Sequence, residues 1–214
     1  MKKKVSLKDI AQKVGVSIAL VSYVLNNKKE GRIKKEVALK IKETARELNY
    51  RTNQIAKSLK TNKTNTIGLI VSDISNPFSS SLARIIEDEA DKSGYTVIFG
   101  SSDEDAEKSQ KLIDTFVNRQ VDGLIIAPAE DSIAQILYLE EQGIPFVLID
   151  RYFPEVKTNY VTLDNFKAAY GAVDLFLKAS YKRIGLITYR SALHNLEERK
   201  DGYLSALKDH NIDI

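Results

Sequence analysis

From Ser6 to Asn27 the chain reads S-L-K-D-I-A-Q-K-V-G-V-S-I-A-L-V-S-Y-V-L-N-N. Its chemistry lies in the side chains left over once the apolar ones are placed. Leu7, Ile10, Ala11 and Val14 recur at helical spacing, and Leu20, Val21, Val24 and Leu25 form a second buried face. Ile18, Ala19, Ser22 and Tyr23 remain outward on that second segment. They offer methyl surface and hydroxyls, types that meet base edges and thymine methyl groups. Ser6 and Asp9 have capping-box spacing, Gly15 suits a left-handed helix end, and Ser17 suits a second N-cap. Helix, glycine-containing turn and helix is the helix-turn-helix pattern, whose second helix enters the major groove of DNA. Ser6, Leu7, Ser17 and Asn26, at the helix ends, complete the candidate DNA-contacting set in this motif.

Catalytic chemistry has weaker support. Asp73, Asp103, Asp150 and Asp164 could in principle meet as a hydrolytic or metal-binding cluster, but nothing else in the sequence supports it. There is no G-x-G-x-x-G run after a strand, no phosphate-binding G-x-x-x-x-G-K-[ST] loop and no G-x-S-x-G elbow. His194 and His210 lack the context of a catalytic base, and the absence of cysteine removes thiolate sites and disulfides. The expectation is no catalytic residue, no metal and no cofactor.

The formal net charge of +3 hides a division. Residues 1–63 carry 17 Lys and Arg against 5 Asp and Glu, while residues 64–214 carry 15 against 24. A basic arm joined to an acidic remainder points to a polyanionic partner for the arm alone. No apolar run is long enough to span a bilayer, and an amphipathic helix follows the basic M-K-K-K start where a signal peptide would place an apolar segment. A cytoplasmic protein without a membrane partner is expected.

The elements that must position these residues follow in order. A third helix from about Lys34 to Leu48 buries Val37, Ala38, Ile41, Ala45 and Leu48, with Asn49 at its end. The basic loop 27–32 before it is placed for phosphate contacts. Asn53 to Lys60 has helical spacing in Ile55, Ala56 and Leu59 but is too short to stand alone in water. It reads either as a segment that orders on a partner or as a plain linker. From Thr66 strands and helices alternate. Strands are expected at 67–71, 96–99, 123–127, 145–149, 161–163 and 184–188. Helices are expected at 79–92, 105–118, 133–141, 166–178 and from Arg199. Such alternation predicts a parallel sheet covered on both faces, with ligands beyond the carboxyl ends of its strands. Asp73, Asn76, Phe78, Ser101, Asp103, Glu130, Asp150, Arg151, Tyr152, Asp164 and Arg190 lie there. The set suits a small polar ligand such as a sugar or nucleoside, and is also what loop ends of this fold require.

Several stretches resemble the LacI/GalR transcriptional regulators: V-S-L-K-D-I-A-Q-K-V-G-V-S-I-A-L-V-S-Y-V-L-N-N, E-L-N-Y-R-T-N-Q-I-A-K-S-L-K-T-N-K-T-N-T-I-G-L-I-V-S-D-I-S-N-P-F, V-D-G-L-I-I-A-P, I-P-F-V-L-I-D-R, V-T-L-D-N and E-R-K-D-G-Y. The resemblance covers essentially the whole chain. It implies a helix-turn-helix domain over 1–50, a hinge and linker over 51–65, and a periplasmic-binding-protein-like α/β domain. The doubly wound parallel sheet of that domain would have one subdomain over 66–163 and part of a second over 164–214. It also implies a homodimer on a roughly palindromic double-stranded DNA operator, with Ile18, Ala19, Ser22 and Tyr23 reading the major groove. Asn53, Ile55, Ala56, Leu59 and Lys60 would form the hinge contacts, Leu59 wedging into the minor groove. For the effector, a carbohydrate by family habit, it implies Phe78, Ser79, Asp164 and Arg199, and the strand-end residues Asp150 and Arg151 join them as candidates. Arg199 would clamp a carboxylate or sugar hydroxyls, the alternative being a surface pair with Glu197 or Glu198.

Three departures stand out. Tyr23 occupies a position where the family commonly has Arg or His, so a bidentate guanine contact is not expected there. Thr52 replaces a usual proline before the hinge. Family members continue through a fuller second subdomain, so this sequence reads as a fragment or as a truncated product. The expected function is a sequence-specific repressor whose operator affinity answers to a small-molecule effector. A ligand-binding module without DNA work and an enzyme are the competing classes.

Overall fold

The computed structural model describes residues 5–26, 28, 32–51 and 63–212. It divides into a unit of residues 1–61 and a unit of residues 62–214.

The first unit contains α1 (Leu7–Val14), α2 (Ile18–Leu25) and α3 (Lys35–Glu47). The expected capping box is present. Ser6 Oγ accepts from the Asp9 backbone N–H, and the Ser6 backbone N–H donates to Asp9 Oδ2 at 2.8 Å. Gly15, at φ 80°, reverses the chain in a conformation that costs a side chain energy. Ser17 then accepts from the Leu20 N–H at 3.2 Å and opens α2. The three helices enclose Ile10, Ala11, Val21, Val24, Ile41 and Ala45. Burying each larger side chain of that set stabilises the unit by about 1.5–3 kcal/mol. After α3 the chain turns with Asn49 left-handed, the Tyr50 N–H bonding Ala45 O and the Asn49 N–H bonding Arg46 O. These are the two bonds of a Schellman ending. The helix cap is Leu48, and the expected Asn49 follows it.

The second unit is built on five parallel strands in the order β2-β1-β3-β4-β5. They are β1 (Thr66–Val71), β2 (Thr96–Ser101), β3 (Gly123–Ile126), β4 (Phe146–Ile149) and β5 (Tyr160–Val161). Helices α4 (Pro77–Lys92), α5 (Ala106–Asn118) and α6 (Ile133–Glu141) connect them. Side chains alternate across the sheet. Leu69 and Val71 pack toward α4 with Leu82 and Ile86, while Ile70, Leu124, Ile126 and Leu148 pack toward α5 and α6 with Ile113, Phe116, Ile136 and Leu139. Covering on both faces is the arrangement that alternating strands and helices imply.

Two helices follow, α7 (Asn165–Lys178) and α8 (His194–Asp209), packed through Val173, Ala206 and Leu207. Gly202 sits at their crossing, where a Cβ would lie 2.2 Å from Phe166 O. The expected strand at 184–188 is absent: residues 181–193 are irregular, and Ile187 is fully exposed. A strand needs a neighbour to take its N–H and C=O groups, and none lies beside this segment among the described residues. Its Ile184 carbonyl instead accepts from Tyr203 Oη at 2.8 Å. Helix α8 begins at His194, five residues before the expected Arg199.

Candidate nucleic-acid interface and ligand cleft

Position 18 starts the outward face of α2, and Ser22 continues it at i+4, while Leu25 packs against the three-helix core. Ile18 and Ala19 are exposed, whereas Ser22 and Tyr23 are half-buried. Asn26 caps the helix and turns its amide back, donating from Nδ2 to Ser22 O at 2.8 Å. Ser6 and Ser17 are exposed caps of α1 and α2, while Leu7 is half-buried against the three-helix core. The opposite side of α2, Val21 and Val24, is buried, which fixes which face remains outward. Asn53, Ile55, Ala56, Leu59 and Lys60 lie outside the described residues.

In the second unit the sequence-predicted residues gather past the carboxyl ends of the strands. Phe78 is exposed and Ser79 buried at the start of α4, which Asn76 caps by accepting from the Phe78 N–H at 2.9 Å. Asp150 ends β4 with φ 65°, a backbone conformation that costs energy outside glycine. Thr162 Oγ1 donates to its carbonyl at 2.8 Å. Arg151 beside it reaches Glu104 with both terminal nitrogens, at 2.6 and 2.7 Å, and also contacts Pro128 O at 3.4 Å. Its Nε lies 3.6 Å from Asp150 Oδ2. The guanidinium is thus committed to protein partners after β2, β3 and β4. Burial would lower the Arg151 pKa, but Glu104, by hydrogen bond and charge, outweighs it and holds the value raised. Burial pushes the Asp150 carboxyl up, against the pull of Arg151 and Arg199.

Arg199 is held from below. Its Nε–H donates to Asn165 Oδ1 at 2.7 Å, and Asn165, fully buried, donates from Nδ2 to Leu163 O at 2.9 Å. This is the partner of Arg199, and neither Glu197 nor Glu198 takes that place; Glu198 lies 3.6 Å from His194. Asp164 caps α7 through the Lys167 N–H at 2.9 Å. The other aspartates are tied separately, Asp73 to Ser75 and Asp103 to Ser101 and Lys108. Among the described residues no group of three potential ligands could hold a metal ion.

Nearby, Glu130 accepts from Ser191 Oγ at 2.9 Å and the Ala192 N–H at 2.7 Å, bringing the start of α8 against the loop after β3. A hollow of about 290 Å³ there is lined by Glu130, Glu155, Glu197, His194, Tyr152 and Phe153, among others. Tyr152 stacks on Tyr160 at 4.1 Å and meets His194 edge-on at 5.1 Å. Carboxylates around aromatic faces suit a hydroxyl-rich ligand better than an anionic one. Sequence reasoning missed Glu104 and Asn165 as partners. Asn165 had a signal, since it directly follows the aspartate in V-T-L-D-N. Glu104 had none, because its partner lies 47 residues away.

No helix among the described residues is long and apolar enough to cross a membrane. Residues 6–53 match the model of bacterial regulatory proteins of the lacI family, and residues 67–214 match a periplasmic binding protein domain. The ribose operon repressor of Halalkalibacterium halodurans is 33% identical over 97% of this chain and 61% of its own length. Catabolite control protein A of Priestia megaterium is 32% identical over 98% of this chain and 63% of its own length. This chain therefore spans less than two thirds of the curated relatives it matches. In fold it is similar to the Lac repressor dimer bound to operator and the anti-inducer ONPF. The TM-score is 0.84 at 22% identity, covering 99% of this chain and 64% of that one. Both models match in the order the two units follow here, and with relatives above 30% identical along nearly the whole chain they show that this chain joins a lacI-family regulatory domain to a periplasmic binding protein domain.

Proposed function

We propose that this protein is a sequence-specific repressor that binds a roughly palindromic operator as a homodimer in the cytoplasm, with affinity set by a sugar-like effector. The observation that carries the reading is α2, capped by Ser17, buried through Val21 and Val24, and presenting Ile18, Ala19 and Ser22 outward. Tyr23 reads a base in place of the family's usual cation, and Ser6, Leu7, Ser17 and Asn26 contact the duplex at the helix ends. Asn53, Ile55, Ala56, Leu59 and Lys60 form the hinge, Leu59 entering the minor groove. The effector contacts Phe78, Ser79, Asp150, Asp164 and Arg199. Arg151, already paired, supports Asp150 from behind. A sugar is favoured by a relative named for a ribose operon; the hollow beside Tyr152, lined by carboxylates and aromatic rings, is separate from these five residues.

Selection from random duplexes with purified protein should yield one enriched, dyad-symmetric site. Leu59→Ala should weaken binding to that site in gel shifts by at least tenfold and leave the circular dichroism spectrum unchanged. Failure to enrich any sequence would overturn the repressor reading, and an unchanged affinity would remove the wedge. For the effector, a thermal-shift series over neutral pentoses and hexoses should find one that raises the melting temperature. Stabilisation only by sugar phosphates or other anions would contradict the sugar assignment.

A further inference from the structure

The first unit holds a second feature that the major-groove reading does not use. A hollow of about 630 Å³ opens where α2 and α3 end, lined by Leu25, Lys42, Ala45, Arg46, Asn49, Tyr50 and Arg51. Among the described residues that line it, three are cations and none is acidic. Lys42 and Arg46 are one turn apart on α3, so their side chains rise side by side. They and Arg51 are exposed, and none has an ion-pair partner among the described residues. The acids of α3 lie on another stripe. Glu36 and Glu43 are seven apart, Glu47 follows Glu43 by four, and Glu47 is engaged by Lys13 of α1 at 2.8 Å. Burial raises the Tyr50 hydroxyl pKa, so it stays a neutral donor at the hollow wall.

We infer that this hollow seats the sugar-phosphate backbone of the duplex, with Lys42 and Arg46 as its phosphate contacts. The inference rests on the DNA-binding reading and extends it to a new surface. Its support is continuity and charge. Leu25, the last residue of α2, forms part of the hollow wall, so the hollow opens at the end of the helix that carries Ile18, Ala19 and Ser22. The chain that follows Arg51 cannot neutralise the hollow itself, since residues 52–63 add Lys57, Lys60 and Lys63 and no acid. Phosphates meet the need of three clustered cations, and such contacts carry no sequence preference.

Because phosphate contacts are sequence-independent, the test uses a random-sequence duplex as well as the selected operator. Binding of the full chain is measured against salt for the wild type, for Lys42→Gln/Arg46→Gln and for Lys40→Gln. Loss of two phosphate contacts should flatten the slope of log K against log salt by about 1.8 on both duplexes. Lys40, exposed on the acidic stripe, should leave the slope as it is. Discrimination between operator and random duplex should persist in the double variant, whose fold is checked by circular dichroism. An unchanged slope in the double variant overturns the inference, whether the hollow stays empty or takes an acidic protein surface. An equal loss in Lys40→Gln also overturns it, since that marks diffuse charge without a seat. A wild type that binds random duplex as tightly as any selected sequence counts against the repressor reading alone, and the slope comparison still decides the hollow.

Discussion

Asn165 and Arg199 are joined by an Nε–H···Oδ1 bond of 2.7 Å in which the amide is fully buried and the guanidinium is not. The same amide donates to Leu163 O, so one side chain fixes both the entry to α7 and the direction of an arginine on α8. Asn165→Ala should lower the free energy of unfolding by about 1–3 kcal/mol, the cost of leaving buried groups unpaired. Urea denaturation measures it. A loss below the error of the fit would show that the bond carries no stability.

Two aspartates should move stability with pH in opposite directions. Burial raises Asp150, so the native state binds more protons than the unfolded chain above the ordinary carboxylate range. Stability from this group falls as pH rises through its folded value, and Asp150→Asn should gain on the wild type toward neutral pH. For Asp122, burial raises the carboxyl, but the Thr64 N–H, the Thr64 hydroxyl and the Asn65 N–H together outweigh it, and the pKa is lowered. Its contribution is present above the ordinary value and is lost as pH falls through the folded one. The deficit of Asp122→Asn should therefore be full at neutral pH and close in acid. Denaturation midpoints for both variants between about pH 3 and 7 would show the opposed slopes; parallel curves would contradict both assignments.

Glycine substitutions separate a packing requirement from simple helix propensity. A Cβ at Gly202 would meet Phe166 O at 2.2 Å and Tyr170 N at 3.0 Å, so Gly202→Ala must push α7 and α8 apart. Overpacking of this kind costs about 1–3 kcal/mol. Gly171, within α7, has open space around it, and Gly171→Ala should stabilise by about 0.5–1 kcal/mol. Thermal melts of the two variants should shift to opposite sides of the parent.

Where local chemistry decides a boundary, the sequence showed it. Ser6 and Ser17, read as caps, each accept from a backbone N–H at the start of a helix; Asp105 and Asp164 do the same, though the one was expected inside its helix and the other as an effector contact. Apolar spacing likewise located β1 to β4, while β5, at Tyr160–Val161, shares only Val161 with the strand expected at 161–163. Helix α8 has Leu193 at its start with no side-chain cap, and the sequence offered nothing to place that boundary before Arg199. The run I-G-L-I-T at 184–188 has the composition of a strand, yet composition supplies no ladder partner, and the chain there is irregular. In the candidate cleft, residue types at strand ends were legible, while pairing was not. Arg151 is a cation open to a ligand in the sequence and a filled clamp in the fold, because Glu104 arrives from a different strand end.

That clamp has a mechanical consequence. By holding Glu104 after β2, Pro128 O after β3 and Asp150 at the end of β4, Arg151 makes three strand ends one rigid rim. A molecule that draws on Asp150 should therefore be felt at the loop after β2 as well, through the ion pairs of Arg151. The rim acts as a lever, with its fulcrum at a single guanidinium.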